Sequence, residues 1–524
     1  MTVVESGISD VVKIFDTTLR DGEQAARINL NEGEKMQIAR QLARLRVDVI
    51  EAGFPAASPG DFQSVQAIAR EIKGVTIAGL ARTREADIRA AGDAVAPAEK
   101  KRIHTFIATS PIHMEHKLKM TEEEVLAEVK SGVSLARSLV EDVEFSAEDA
   151  SRSDINFLIK VFKLAIECGA TTLNIPDTVG YAMPYEFGNF CKAIIDGAAA
   201  PSNVIWSVHC HNDLGLAVAN SLAAVRAGVR QVECTMNGLG ERAGNASLEE
   251  VVMALRTRPD HFGADTRIDT KKLFSTSKLV SNLTGVLVQP NKAIVGVNAF
   301  AHEAGIHQHG MLCNRATYEI MTPESVGAPG TDLVLGKHSG RHAFNDRLEI
   351  LGFNLTKEES NTAFDYFKVL CDKKKTVSDG DIEAFLLDRV LQTTPERRYE
   401  LKDYAVTIAS GGKPTASITL AHKDGEITEA ATGNGPVNAA YNAIKKILGF
   451  NPELREFRIQ ATSQTSEALG EGHVILSYKD VQAQGRGAST DVIEATIRAY
   501  VDAVNRLYVA AAAKEVTING TNTR

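Results

Sequence analysis

Hydrophobic and polar positions repeat one pattern eight times between residues 12 and 240. A short run of apolar and β-branched residues leads to a polar turn, and then to a segment with apolar residues every three or four positions. Such runs are typical of buried strands, and such spacing is typical of amphipathic helices. The predicted strands are 12–16, 47–53, 75–81, 102–108, 142–148, 171–177, 204–211 and 231–237. Eight alternating units in roughly 250 residues predict an α/β fold, a closed (β/α)8 TIM barrel, rather than an open doubly wound sheet.

The pattern changes twice after the predicted barrel. Residues from about 270 to 390 have the pattern of short helices and turns, and from about 391 several strands and two helices predict an α+β layer. Segments 433–444 and 485–500 both place glycine turns before a helix, which indicates a duplicated β-β-β-α unit. The predicted domains are a barrel at 1–275, helical linker subdomains at 276–390 and a C-terminal domain at 391–524.

Length and composition narrow the class of protein. The chain has 524 residues, enough for two or three domains, and its net charge of -9 argues against a nucleic-acid or anionic membrane partner. Its six cysteines are spread singly without a CxxC motif, so neither a disulfide framework nor a zinc knuckle is indicated. Neither a signal peptide nor an apolar run of about 18 residues is present, and we expect a cytoplasmic protein.

Polar side chains gather where the predicted strands end, the end at which barrels of this type carry their chemistry. His209 and His211 are separated by one residue, so both point to the same face of a strand. Because the eighth strand lies beside the first in a closed barrel, we expect Asp21 and Asn245 to converge on these histidines. For either of these two residues alone, an ordinary turn residue is the favoured interpretation. Together the four suit an octahedral divalent cation, with Mg²⁺, Mn²⁺ and Zn²⁺ all open.

The glycine-rich segment 237–245 follows a predicted strand and precedes a predicted helix. It lacks the G-x-G-x-x-G spacing of a dinucleotide site. We interpret it as a tight turn that lets the backbone approach a ligand.

Several segments of the chain resemble the isopropylmalate and homocitrate synthase family of barrel metalloenzymes. These segments are "FDTTLRDGEQ" (15–24), "HTFIATSPIHMEHKLKM" (104–120), "VEFSAEDASRSD" (143–154), "LNIPDTVGY" (173–181), "VHCHNDLG" (208–215) and "NGLGERAGNASLEE" (237–250). The first and fifth are shared across the family, which carries out Claisen condensations and the reverse cleavages. The others are similar to its isopropylmalate synthase branch, and the likeness covers nearly the whole chain.

The resemblance implies a reaction and its partners. Acetyl-CoA, the co-substrate, would condense with 2-oxoisovalerate, and thioester hydrolysis would give 2-isopropylmalate and CoA. The implied cofactor is Mn²⁺ or Mg²⁺, with Zn²⁺ open, and a monovalent cation such as K⁺ is compatible with it. A citramalate synthase using pyruvate and a homocitrate synthase using 2-oxoglutarate are the alternatives. The C-terminal domain would bind leucine as a feedback inhibitor, in a homodimer or a tetramer.

The resemblance also assigns roles to individual residues. The implied metal ligands are Asp21, His209, His211 and Asn245. The implied substrate-binding residues are Arg20, His104, Ser146, Asn174 and Thr178, and the implied catalytic residues are Arg20, Glu148, His307 and Tyr318. His307 and Tyr318 would complete the active site of the other subunit, and His309 stands where the family commonly has an acidic residue.

Overall fold

The structure, a computed structural model, divides the chain into two units, residues 1–330 and 331–524. It describes residues 10–26, 28–300, 314, 317, 319–328, 341–351, 353, 355–373, 377, 381–382, 386, 398–408, 412–461, 469–479 and 481–513. Among the described residues, no helix combines the length and the apolar character that a membrane span requires.

Eight parallel strands close into a barrel in the first unit. They are β1 (Lys13–Asp16), β2 (Val49–Gly53), β3 (Thr76–Arg82), β4 (Lys100–Ala108), β5 (Asp142–Glu148), β6 (Thr172–Asp177), β7 (Ile205–Cys210) and β8 (Gln231–Cys234). Each strand pairs with the next, and β8 pairs with β1, with Lys13 opposite Gln231 and Asp16 opposite Cys234. The predicted (β/α)8 barrel is confirmed, because each strand falls where the hydrophobic pattern places it.

Amphipathic helices surround the barrel. They are α1 (Glu32–Leu45), α2 (Pro59–Glu71), α3 (Glu85–Val95), α4 (Glu122–Leu139), α5 (Ile155–Glu167), α6 (Pro184–Ala198), α7 (Ala217–Ala227) and α8 (Leu248–Thr257), and α9 (Leu273–Thr284) follows. Short helical turns lie at Gly22–Gln24, Pro111–His113, Met114–Leu118, Ala150–Arg152, Met236–Gly238, Pro259–Phe262, Thr270–Lys272 and Pro323–Val326. Asn31 with Glu34 and Thr121 with Glu124 form capping boxes that fix where α1 and α4 begin.

The interior of the barrel contains a buried ionic cluster near the beginning of the strands. The Arg102 guanidinium donates hydrogen bonds to the Glu144 carboxylate at 2.6 Å and to the side-chain oxygen of Gln231 at 2.9 Å. Gln231 in turn donates to Glu144 at 2.8 Å. Burial raises the pKa of Glu144 to about 7, although Arg102 opposes the shift. The cluster therefore depends on Arg102 to compensate a carboxylate that is removed from water.

We expect Arg102→Met to destabilise the barrel by about 3–5 kcal/mol, because it leaves Glu144 buried without its cation. The control is Arg89→Met, which breaks an exposed Arg89–Glu85 pair and should cost less than about 1 kcal/mol. Urea unfolding followed by Trp206 fluorescence measures both changes. Since Trp206 is the single tryptophan and lies buried in β7, its signal reports on the barrel alone. Equal midpoints for the two variants would contradict the expectation.

The second unit contains helices followed by two similar sheets. The helices α10 (Arg341–Ile350) and α11 (Lys357–Lys373) pack through a cluster that includes Phe344 and Phe367. The remaining elements are β9 (Glu400–Thr407), β10 (Thr415–His422), β11 (Gly425–Thr432), α12 (Pro436–Leu448), β12 (Glu453–Ala461), β13 (Gly470–Tyr478), β14 (Val481–Ser489) and α13 (Val492–Ala513). Strands β9–β11 and β12–β14 each form an antiparallel three-stranded sheet followed by a helix. The predicted α+β layer and its duplicated β-β-β-α unit are confirmed.

One detail of that prediction is wrong. Gly485 and Gly487 were expected in a turn before a helix, but both lie within β14. A Cβ atom on Gly485 would lie 2.1 Å from the backbone nitrogen of Ala503, and one on Gly487 would lie 2.5 Å from the carbonyl oxygen of Ala495. These glycines therefore allow the backbone of α13 to pack directly against the sheet.

Candidate active site

The segment after β1 forms a tight loop that presents two charged residues. The Asp16 carboxylate accepts hydrogen bonds from the backbone nitrogen and the hydroxyl of Thr18, both at 2.9 Å. The backbone nitrogens of Asp21 and Gly22 donate to the Thr17 side chain and carbonyl, at 3.2 and 3.0 Å. Burial raises the pKa of Asp16 to about 7. This loop fixes Arg20 and Asp21 at the carboxyl end of the barrel.

Asp21 meets the two histidines at the end of β7. One ligand atom from each of Asp21, His209 and His211 lies within 4.8 Å of the others, and all three residues are buried. His209 Nε2 is 3.8 Å from Asp21 Oδ2 and 3.3 Å from His211 Nε2. The structure therefore brings together three of the four residues predicted as metal ligands.

Asn245, the fourth predicted ligand, lies against the same cluster. Its Nδ2 donates to Asp21 Oδ1 at 2.8 Å and to the Leu239 carbonyl at 2.9 Å. Asn245 Oδ1 is buried and has no hydrogen-bond partner among the described residues. The turn around it is tight, since a Cβ atom on Gly240 would lie 2.2 Å from Asn245 Nδ2. Asn245 Oδ1 lies beside a carboxylate and two imidazoles. It is therefore available as a fourth ligand atom for a cation bound by the cluster.

The electrostatics of the cluster also suit a divalent cation. Burial favours protonated Asp21, but the Arg20 guanidinium and the histidines outweigh it and hold the pKa of this carboxyl well below its usual range. Burial and the neighbouring His209 lower the pKa of His211 to about 4. An ionised carboxylate and a neutral imidazole are the forms that bind metal. The residues present therefore fit the divalent ion that the sequence predicts.

Glu233 holds one of the histidines in place. Its Oε2 lies 2.6 Å from His209 Nδ1, and its side chain is buried in β8. Burial opposes a charge on His209, but Glu233 and Asp21 together raise its pKa. Glu233 and Asp21 favour a proton on His209, and the same negative charge would favour a metal cation at His209 Nε2. A carboxylate behind a ligating histidine also fixes the tautomer and the ring orientation.

A second set of predicted residues joins the cluster through Glu51 of β2. The Arg20 guanidinium donates to Glu51 at 2.6 Å and to Asp21 at 2.5 Å. The other Glu51 oxygen lies 2.6 Å from His104 Nδ1. Burial opposes a charge on Glu51, but Arg20 and His104 outweigh it and lower the pKa of Glu51 to about 2. Burial also opposes a charge on His104, but Glu51 and Glu233 outweigh it and raise the pKa of His104 to about 9. These shifts favour the imidazolium form of His104.

The network continues across β5 and β6. His104 Nε2 lies 2.6 Å from Ser146 Oγ, and Asn174 Nδ2 donates to the same oxygen at 2.8 Å. An imidazolium can only donate, so Ser146 Oγ accepts two hydrogen bonds. Its own hydroxyl proton is then available to a further acceptor.

Two predicted residues lie outside this hydrogen-bonded network. The Thr178 hydroxyl accepts a hydrogen bond from the backbone nitrogen of Asp149 at 3.0 Å. The half-buried Glu148 ends β5 and accepts from Lys117 Nζ at 2.6 Å. His307 and Tyr318 lie outside the described residues.

The sequence interpretation assigned no role to Glu51 or Glu233. Each is a buried glutamate inside a strand, at 0% and 1% exposure. A charged residue at an inward-facing position of a predicted strand was the available signal. Its partner could not be read from the sequence, because Glu233 and His209 lie on different strands.

Family models match the chain in three consecutive segments. A model described as HMGL-like matches residues 11–280, one described as homocitrate synthase post-HMGL domain-like matches 294–375, and one described as LeuA allosteric (dimerisation) domain matches 376–508. The first covers the barrel and all the metal-ligand candidates. The barrel thus belongs to the HMGL-like class.

Curated relatives narrow the family further. Proteins named 2-isopropylmalate synthase from Aquifex aeolicus, Carboxydothermus hydrogenoformans and Ruminiclostridium cellulolyticum are 54%, 55% and 56% identical to the chain. The matches cover 96%, 95% and 94% of the chain, and 97% of each relative. The chain belongs to the 2-isopropylmalate synthase family and is an enzyme, a transferase, which confirms the resemblance inferred from its motifs.

We expect Glu233→Gln to weaken binding of a divalent cation by about 10–100-fold, because it removes the carboxylate that orients His209. The matched control is Glu148→Gln, since Glu148 makes none of the contacts in the cluster and should leave the affinity unchanged. Titration with Mn²⁺, with the free ion followed by electron paramagnetic resonance, measures both. Unchanged Mn²⁺ affinity in Glu233→Gln would contradict the assignment.

Proposed function

We propose that the chain condenses acetyl-CoA with 2-oxoisovalerate and hydrolyses the resulting thioester to 2-isopropylmalate and CoA. The observation that carries the proposal is the convergence of Asp21, His209, His211 and Asn245 at one end of the barrel, beside the Arg20 guanidinium. The near full-length similarity to relatives named 2-isopropylmalate synthase supports this choice of substrates.

Asp21, His209, His211 and Asn245 would hold the divalent ion, for which we propose Mn²⁺ or Mg²⁺. When bound, that ion would act as a Lewis acid toward the carbonyl of the keto acid. The chain contributes a buried set of donors whose orientation is fixed in advance by Glu233 and by the turn around Asn245. A fixed donor set needs little rearrangement as charge develops on the substrate.

Arg20 would stabilise the negative charge that develops on the keto oxygen. Its guanidinium carries a permanent charge and is held by two carboxylates, those of Glu51 and Asp21. Its side chain retains 12% exposure, so one side of the group remains accessible.

Ser146 would bind the substrate through its hydroxyl proton, for which the described residues supply no acceptor. His104 and Asn174 would act with it, because both donate to Ser146 Oγ and thereby aim its hydrogen away from them. Thr178 would lie further along the same rim, with its hydroxyl engaged by the backbone at Asp149.

Glu148 would accept the proton that the methyl group of acetyl-CoA must lose. A positioned carboxylate is suited to this transfer, and Lys117 restrains it in the structure. Glu144 lies on the same strand but is engaged by Arg102 inside the barrel, which leaves Glu148 as the candidate base. His307 and Tyr318, both outside the described residues, would complete the active site of a second subunit.

The C-terminal domain would sense leucine and hold two subunits together. The match to the LeuA allosteric (dimerisation) domain supports both roles. We retain the boundaries 1–275, 276–390 and 391–524 as part of this proposal. Leucine would act as a feedback inhibitor of a homodimer.

The release of CoA from acetyl-CoA in the presence of Mn²⁺ tests the proposed reaction. With 2-oxoisovalerate, pyruvate and 2-oxoglutarate supplied separately, we expect 2-oxoisovalerate to give the highest kcat/KM, by at least tenfold. An Arg20→Gln variant should lose most of the turnover, since it removes the permanent charge beside the keto oxygen. Preference for pyruvate or 2-oxoglutarate would make the enzyme a citramalate or a homocitrate synthase, and no thiol release with any keto acid would refute the condensation.

Leucine is expected to suppress turnover of the full chain. A chain that ends at residue 390 should respond to leucine at least tenfold less, because it lacks the proposed sensing domain. The same assay with 2-oxoisovalerate measures both, and Trp206 fluorescence verifies that the shortened barrel is folded. Equal inhibition of the two chains would place the leucine site outside residues 391–524.

A further inference from the structure

A cavity of about 540 Å³ opens at the end of the barrel opposite the metal-ligand cluster. It lies where the chain enters the first four strands, since its lining includes Lys13 of β1, Val49 of β2, Thr76 of β3 and Lys100 of β4. We call it the amino-terminal cavity. Its volume is in the range of small-molecule sites, and the proposed condensation does not use it.

Positive charge dominates the lining of the amino-terminal cavity. Its charged residues are Lys13, Arg46, Lys73, Lys100, Arg102 and Arg267, against the single carboxylate of Asp48. The cations come from separate segments: the first strand, the connections before β2 and β3, the strand β4 and the segment after α8. The chain as a whole has a net charge of -9, so the positive charge of this cavity is opposite in sign to that of the protein.

Two of these cations are neutralised inside the protein. Arg102 forms ion pairs with Asp142 and Glu144 at 2.9 and 2.6 Å. Arg267 lies 2.7 Å from Asp48, whose other oxygen accepts a hydrogen bond from the backbone nitrogen of Ile14. Asp48 is thus engaged by Arg267 and by the backbone of β1.

The remaining four have no carboxylate within 4 Å in the part of the chain that the structure describes. They are Lys13, Arg46, Lys73 and Lys100. Lys13 is half-buried in the cavity. Burial and the charge of Arg102 lower its pKa, and Asp142 and Asp48 oppose the shift. The other three are exposed at the mouth, where Lys100 Nζ lies 3.4 Å from the Gly74 carbonyl. None of the four therefore forms a direct ion pair with a carboxylate of the described residues.

We propose that the amino-terminal cavity binds a small molecule that carries phosphate groups. Four cations that lack a direct ion pair and line one cavity suit a ligand with more than one negative charge, which a single carboxylate does not supply. Lysine and arginine together are the usual ligands of phosphate oxygens. The apolar residues Val47, Val49 and Val75 line the rest of the cavity and would contact a non-polar portion of such a ligand.

Isothermal titration of the full chain with inorganic phosphate, pyrophosphate and ATP tests the proposal. We expect at least one of them to bind with a submillimolar Kd that weakens as KCl is added. The double variant Lys73→Gln/Lys100→Gln should weaken that binding at least tenfold. Binding of ATP alone would identify a nucleotide site, and equal binding of phosphate and pyrophosphate would identify a site for the free anion.

The matched control is Lys101→Gln, which removes a charge on the same strand but outside the lining of the cavity and should change the Kd less than twofold. A His211→Ala variant should also retain the binding, which separates this site from the metal-ligand cluster and from the proposed condensation. Three results would overturn the proposal: no binding of any phosphate compound, equal binding by the double variant, or binding of malonate in preference to all three.

Discussion

The pairing of β1 with β8 is the constraint on which the site depends. It places Asp16 opposite Cys234, and the backbone nitrogen of Thr17 then donates to the carbonyl of Cys234 at 3.0 Å. The loop that follows β1 is thereby held against residues more than 200 positions later, so that Asp21 reaches Asn245. In an open sheet these two residues would lie at opposite edges, and the four candidate metal ligands would not meet.

Charges of opposite sign occupy the two ends of the same barrel. At the carboxyl ends of the strands, Glu51, Glu233 and Asp21 surround histidines and Arg20, and the arrangement favours positive charge. At the other end, cations line a cavity that has one carboxylate. Arg102 belongs to the lining of that cavity and pairs with the buried Glu144, so these two charges depend on each other.

In the second unit, helices pack against antiparallel sheets rather than around a barrel. Its two sheets repeat one three-stranded meander, each followed by a helix. Gly485 and Gly487 permit the close approach of α13 to β14, so these positions serve packing rather than chain reversal. The sequence pattern could not separate the two uses, since glycine suits both a turn and a close backbone contact.

By itself the sequence determined the barrel, because eight apolar runs separated by helical spacing have few other ways to bury their surfaces. It also indicated the candidate metal ligands, since His209 and His211 share a strand face and Asp21 and Asn245 follow adjacent strands. Only the tertiary structure decided which buried carboxylates form hydrogen bonds with these residues and with those beside them. Glu233 contacts His209, and Glu51 links Arg20 to His104, through pairings between strands that are distant in sequence. Such contacts depend on register and side-chain direction across the barrel, which periodicity along one strand does not encode.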